Sequence, residues 1–215
     1  MKINLEILNS AYIYSKNDIQ DLNTKELVPK MMLRRRLTRA SKIAIYLAHQ
    51  VGIKNERILY GSSFGELPAT ANILNSICAK EPISPTSFQN SVYNTAASYL
   101  SILTNNKNEI ITISSGDKTS SNLLKAAAVK SLDGDEIVLI VTETLNIDNI
   151  NEVNTCIDNL ECGVALKVRL TKNKANLNFD NIKNGYKLPL STLIMFDIAK
   201  QFQENNKKNI IEIVL

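Results

Sequence analysis

Gly61-Ser62-Ser63-Phe64-Gly65 matches the pattern G-x-S-x-G. The apolar run Ile58-Leu59-Tyr60 precedes it, and a helical pattern begins at Leu67. That is the strand–turn–helix setting in which a serine nucleophile stands exposed on a sharp turn. Such a serine needs a base to take its proton, and an α/β-hydrolase places that histidine downstream. The single histidine, His49, lies upstream. The residues therefore favour a glycine-rich strand-to-helix turn over a serine acyl-hydrolase. A second small-residue turn, Ser114-Ser115-Gly116-Asp117-Lys118-Thr119, faintly echoes a phosphate loop. A phosphate loop needs glycine directly before the lysine and another five residues earlier, and neither is present. Cys78, Cys156 and Cys162 are too few for a disulfide framework, and their spacing matches no zinc ribbon or finger. With one histidine, no metal site is expected, and nothing in the sequence calls for a cofactor.

The elements that position these turns read as follows. Ile3 to Tyr14 is rich in strand formers, a strand or hairpin arm. Asn17 to Lys30 is loop or short helix. Leu33, Leu37, Ala40, Ala44, Leu47 and Val51 recur every three or four residues, one face of an amphipathic helix that Gly52 would end. Ile58–Tyr60 and Ile110–Ile113 read as buried strands, and Ile137–Val141 is the strongest such run. Helices are expected over Leu67–Ala79, with Leu67, Ala71, Ile73, Leu74 and Ile77 facing inward, and over Ser87–Leu103, Ser120–Leu132 and Pro189–Phe202. Pro82 and Pro85 bracket a loop; Asn105–Asn108 and Asp133-Gly134-Asp135 are turns. Asn146–Asn159 reads as a surface excursion. Val164–Leu170 alternates like an antiparallel strand with one wet face, and Ile210–Leu215 is a final strand. Strands alternating with helices argue a layered α/β fold with a mainly parallel sheet, taken as one domain over residues 1–215.

The 215 residues are 44% apolar, enough for a substantial core. No stretch of eighteen apolar residues suggests a membrane span, and the N-terminus lacks the apolar core of a signal peptide, so a cytoplasmic location is expected. The net charge of +4 is unevenly spread. Lys30, Arg34, Arg35, Arg36, Arg39 and Lys42 fall in a stretch without an acid, and Ser131–Leu166 holds acids without a Lys or Arg. The basic block reads first as a solvated helix face and second as a docking surface for an acidic protein. No motif or aromatic interleaving points to nucleic acid.

One run is more specific than the rest. Ser84-Pro85-Thr86-Ser87-Phe88-Gln89-Asn90-Ser91-Val92-Tyr93-Asn94-Thr95-Ala96-Ala97 resembles the segment preceding the nucleophile of a β-ketoacyl synthase. Leu33-Arg34-Arg35-Arg36-Leu37 with Ser41-Lys42, Ser63-Phe64-Gly65-Glu66-Leu67, the turn Ser114–Asp117, Leu123-Leu124-Lys125-Ala126, Val138–Val141 and Val164-Ala165-Leu166 extend the likeness over most of the chain. The chain resembles the β-ketoacyl synthase-like proteins formed of an N-terminal ketosynthase domain only, found with aryl polyene and related pathways. There are departures. Where a synthase carries its cysteine, this chain has Ser114-Ser115-Gly116. The family's S-V-H-N-A is Ser91-Val92-Tyr93-Asn94-Thr95 here, a phenol of pKa about 10 in place of an imidazole. Lys125 stands where a glutamate is expected.

The resemblance implies half of a thiolase-like fold and a subunit that does not condense acyl groups itself. Decarboxylative condensation needs a thiolate plus His- or Asn-type groups for the enolate and oxyanion. What it implies instead is a chain-length-factor-like partner of a true β-ketoacyl-ACP synthase, in fatty-acid-, polyketide- or aryl polyene-type synthesis. Such subunits pair through a central strand and flanking helices, which points to Ile110–Ile113 and Ser87–Leu103. Phe88, Asn90, Tyr93, Asn94 and Tyr99 become tunnel or interface candidates. Arg34, Arg35 and Arg36 become candidates for contacting an acyl carrier protein or the synthase. A homodimeric acyl or acyl-carrier binding module remains open.

Overall fold

The computed structural model describes residues 1–153, 156–179, 182–205 and 208–215. Strand β1 (Lys2–Ser15) leads into α1 (Thr24–Leu27), α2 (Met31–Arg34) and α3 (Arg39–Gln50). Strand β2 (Arg57–Gly61) is followed by α4 (Leu67–Ala79), α5 (Pro85–Gln89) and α6 (Thr95–Thr104). Then come β3 (Ile110–Ile113), α7 (Thr119–Lys130), β4 (Ile137–Thr144) and α8 (Ile150–Val153). Strand β5 (Glu161–Thr171), α9 (Leu190–Glu204) and β6 (Ile210–Val214) complete the order.

The strands form one sheet in the order β3-β2-β4-β5-β1-β6. Strand β2 runs parallel to both β3 and β4; β5, β1 and β6 add antiparallel pairings. The fold class is thus the layered α/β arrangement expected from the sequence. Alternation sends each strand's residues to two cores. Ile58, Tyr60, Val138, Ile140 and Ala165 face α3 and α6; Leu59, Leu139, Val141, Val164 and Leu166 face α7 and α9. In β1, Ile3, Leu5 and Ile7 face the α7–α9 side, whereas Ala11 faces α3. A bulge between Ile7 and Asn9 accounts for the change of parity. Burial on both sides leaves every residue of β4 covered, as a central strand requires.

Five expectations need correction. The amphipathic helix expected from Leu33 begins at Arg39, because the Thr38 side chain accepts the Ser41 N–H (3.1 Å) and caps the helix there. The helix expected over Ser87–Leu103 is two, α5 and α6, with a turn between them. No residue of α4 is buried; Leu74 and Ile77 are more than half exposed. Strand β3 is an edge strand and only half-buried. The wet face expected of β5 is confined to its end, since Glu161 to Leu166 are all buried. The expected excursion over Asn146–Asn159 includes 154–155, which lie outside the described residues; Ile150–Val153 is helical.

Candidate functional site

The carboxyl ends of β2, β3 and β4 lie side by side, the place where open parallel sheets hold their sites. Two small-residue turns leave the sheet there: Gly61–Gly65 after β2 and Ser114–Gly116 after β3. Gly61 is required by close packing, since a Cβ would lie 2.4 Å from Leu123 Cδ1. Gly65 has φ +60°, and a Cβ there would press on the Tyr93 ring at 3.0 Å. The two turns are stitched together through one carbonyl. Ser63 O accepts from Tyr93 Oη (3.3 Å) and from Ser114 Oγ (3.5 Å).

Beneath them lies Glu143, fully buried at the end of β4. Its Oε1 accepts from the Ser63 N–H (2.6 Å) and Ser191 Oγ (2.6 Å). Its Oε2 accepts from Ser62 Oγ (2.9 Å) and the Phe64 N–H (3.2 Å). Burial raises its pKa, and the four donors oppose that rise. One carboxylate thereby ties the G-x-S-x-G turn to β4 and to the start of α9. Its sequence signal is a glutamate closing an apolar run, Ile-Val-Leu-Ile-Val-Thr-Glu, a carboxylate that a buried strand cannot leave unpaired.

Ser63 gains no base from this arrangement. Among the described residues no hydrogen bond joins it to His49, which is exposed in the last turn of α3. Ser62, which does touch a carboxylate, is fully buried and also accepts the Gly65 N–H (2.8 Å). Cys162 is buried in β5 beside Thr192, and burial drives its thiol far above the ordinary range, away from thiolate. Ser114 and Gly116 are exposed, with Ser115 between them donating its N–H to Thr119 Oγ1 (3.1 Å). Among the described residues no group of three His, Cys, Asp or Glu is placed to hold a metal ion.

The remaining candidates divide. Asn90, Asn94 and Tyr99 line one cleft of about 580 Å³ between α5 and α6, together with Arg36. Tyr99 Oη donates to Asn90 Oδ1 (3.3 Å). Tyr93 instead belongs to the turn cluster, and Phe88 projects outward, 65% exposed. The basic block is not one solvated face. Arg39 pairs with buried Glu161 through Nε (2.7 Å) and Nη2, and Glu161 Oε2 also accepts the Ile19 N–H (2.7 Å). Arg34 Nη1 donates to Val28 O (3.1 Å), while Arg35 and Arg36 are exposed. The acidic stretch is likewise absorbed: Glu143 and Glu161 are interior, and Asp133 and Asp135 pair with Arg57.

Sequence reasoning also missed Glu66, which is 4% exposed at the start of α4. It accepts from Thr38 Oγ1 (2.8 Å), so the cap of α3 is bonded to the start of α4. Burial pushes its carboxyl from 4.5 up to about 7, and the Thr38 bond offsets that only in part.

A second groove, about 550 Å³, runs between α6 and the open edge of β3, lined by Ala97, Ser98, Ser101, Ile102, Ile110 and Thr112. Ile102 is 64% exposed beside it. No helix among the described residues is long and apolar enough to cross a membrane.

The family described as "Beta-ketoacyl synthase, N-terminal domain" matches residues 11–210. No curated protein sequence matches the chain. Among solved structures, the chain is similar to one in the complex of the ketosynthase ApeO with its chain length factor ApeC from Xenorhabdus doucetiae. The TM-score is 0.68 and the identity 20%, over 90% of this chain and 91% of that one. It is also similar to a chain of the ishigamide ketosynthase/chain length factor (TM-score 0.59, 11% identity, 82% of this chain, 64% of that one). A β-ketoacyl synthase from Burkholderia phymatum STM815 follows (TM-score 0.54, 12% identity, 79% of this chain), of which the chain spans 60%. At these identities the likeness is one of fold.

Proposed function

The chain belongs to the β-ketoacyl synthase N-terminal domain family, and from that membership we propose that it is a chain-length-factor-like subunit without condensing activity of its own. Its partner is a cysteine-bearing β-ketoacyl-ACP synthase, and the pair builds a fatty-acid- or polyketide-type chain of the aryl polyene kind. The chain acts as one domain over residues 1–215, in the cytoplasm.

One observation carries this reading: the open edge of β3 borders a groove with α6, and exposed apolar side chains stand on α6 and in the turn before it. Ile102 is 64% exposed, Tyr93 46% and Val92 45%. An edge strand with unpaired N–H and C=O groups beside an apolar strip is a surface that a partner must cover. The nearly reciprocal coverage with a chain of the ApeO–ApeC complex is in keeping with it. So is the serine- and glycine-rich turn at 114–116, where no thiolate can carry an acyl group. Phe88, Tyr93 and Tyr99 then bear on the depth of the acyl tunnel at the pair's interface. Exposed Arg35 offers a contact to an acidic acyl carrier protein, which Arg35→Glu would weaken in a carrier cross-linking assay.

The test is a tagged pull-down from the native host at low salt, with mass spectrometry of what co-elutes, repeated with Ile102→Arg. Near-equal recovery of a cysteine-containing ketosynthase, lost in Ile102→Arg while that variant keeps its thermal midpoint, supports the proposal. Recovery of this chain alone as a stable homodimer refutes it in favour of an independent acyl or acyl-carrier binding module.

A further inference from the structure

The cleft between α5 and α6 has a composition that pairing with a synthase does not explain. Its lining combines the polar side chains of Arg36, Asn90, Asn94 and Thr95 with apolar Leu33 and Ile102, and no acidic residue lines it. Its volume of about 580 Å³ falls within the roughly 300–1,000 Å³ of small-molecule sites.

Three features converge on negative charge. The Arg36 side chain is exposed and enters no ion pair among the described residues. Its segment is held to the cleft, because Asn90 Nδ2 donates to Arg36 O (3.4 Å). Helix α6, ten residues long, begins in the cleft, and the Asn94 side chain makes no capping bond to it. The Thr95 N–H bonds to Val92 O (3.1 Å), and the positive end of the helix dipole at the start of α6 favours an anion. Thr95 opens that helix, lines the cleft and is 4% exposed; its hydroxyl has no hydrogen-bond partner among the described residues. A buried hydroxyl without a partner is a costly feature, and a ligand atom would relieve it.

We infer that the α5–α6 cleft binds a small amphiphilic anion, a carboxylate or phosphate head on a short apolar body. The head lies between the Arg36 guanidinium and the start of α6, with the Asn94 amide and Thr95 hydroxyl as neutral donors. The body lies along Leu33 and Ile102. This chain alone forms the cleft, which shares Val92, Tyr99 and Ile102 with the surface assigned above to the partner, so the inference is tested on the chain without a partner.

Calorimetric titration of the full chain tests it, with hexanoate, hexyl phosphate, hexanol and inorganic phosphate as probes. Saturable binding of hexanoate or hexyl phosphate is expected, and the tighter of the two identifies the head. Removing the charge-assisted bonds should weaken that anion about tenfold in Arg36→Met and severalfold in Thr95→Val, with hexanol unchanged in both. Arg36→Gln serves as a second variant should Arg36→Met fail to fold. Four results would overturn the inference: no saturable binding of either anion below about 10 mM, equal affinity for hexanol, inorganic phosphate binding as tightly as hexyl phosphate, or undiminished anion binding in the Arg36 variants.

Discussion

Glu66→Gln should abolish a pH dependence that the fold builds into this chain. The Glu66 carboxyl is 4% exposed and accepts one side-chain bond, from Thr38 Oγ1 (2.8 Å). Its folded pKa of about 7 lies above its ordinary 4.5, so the folded state holds the proton more tightly than the unfolded state does. The stability contributed by the neutral acid is fully present below about 4.5 and is lost as pH rises towards and through about 7. At about 1.4 kcal/mol per pKa unit the interval is worth about 3 kcal/mol. Glutamine keeps the shape and the acceptor oxygen but never ionises. Urea unfolding of both proteins from pH 4.5 to 8.5 should therefore give matching stabilities at the acid end. At the alkaline end the glutamine variant should lead by about 3 kcal/mol, or roughly 6–12 °C in thermal midpoint for a chain of this size. Other titrating groups cancel in the difference. A difference that stays constant across that range would refute the argument.

Glu143→Gln should act in the opposite sense. An amide replaces one acceptor oxygen with a donor, and each oxygen of Glu143 faces one serine hydroxyl and one backbone N–H. The hydroxyl can turn; the N–H of Ser63 or Phe64 cannot. One orphaned N–H and weaker remaining bonds should cost about 2–4 kcal/mol, read by urea unfolding at pH 7. Arg39→Ala leaves the buried Glu161 carboxylate without its partner and should cost about 3–5 kcal/mol in the same assay, with Glu161→Gln in the Arg39→Ala background recovering part of it.

Much of the frame was legible because it depends on local periodicity. Helix α4 and the core of β4 fall where the apolar pattern put them, and β5 is antiparallel as its alternation implied. Segment breaks were less legible. Patterns of spacing 3.6 run across Thr38 and across Asn90–Asn94, yet side-chain capping at one and a turn at the other divide each expected helix in two. Burial was misread in α4, whose apolar residues follow helical spacing but meet no core in this chain. A repeat of apolar residues states that a face needs covering, not what covers it.

By itself the sequence determined the family likeness, the alternation of strands and helices, and the absence of a cysteine from the turn at 114–116. These are properties of residue type and order, read at each position without knowing its neighbours in space. Only the tertiary structure decided which charges are interior. Arg39 meets Glu161 across 122 positions, and Glu143 gathers Ser62, Ser63, Phe64 and Ser191 from two distant segments. It also placed β3 at the sheet edge and brought Arg36 to the start of α6. The physical reason is that desolvation and hydrogen-bond geometry depend on three-dimensional neighbours. A charge that looks solvated in a basic run becomes a buried partner only when the sheet order brings its counter-charge within about 3 Å.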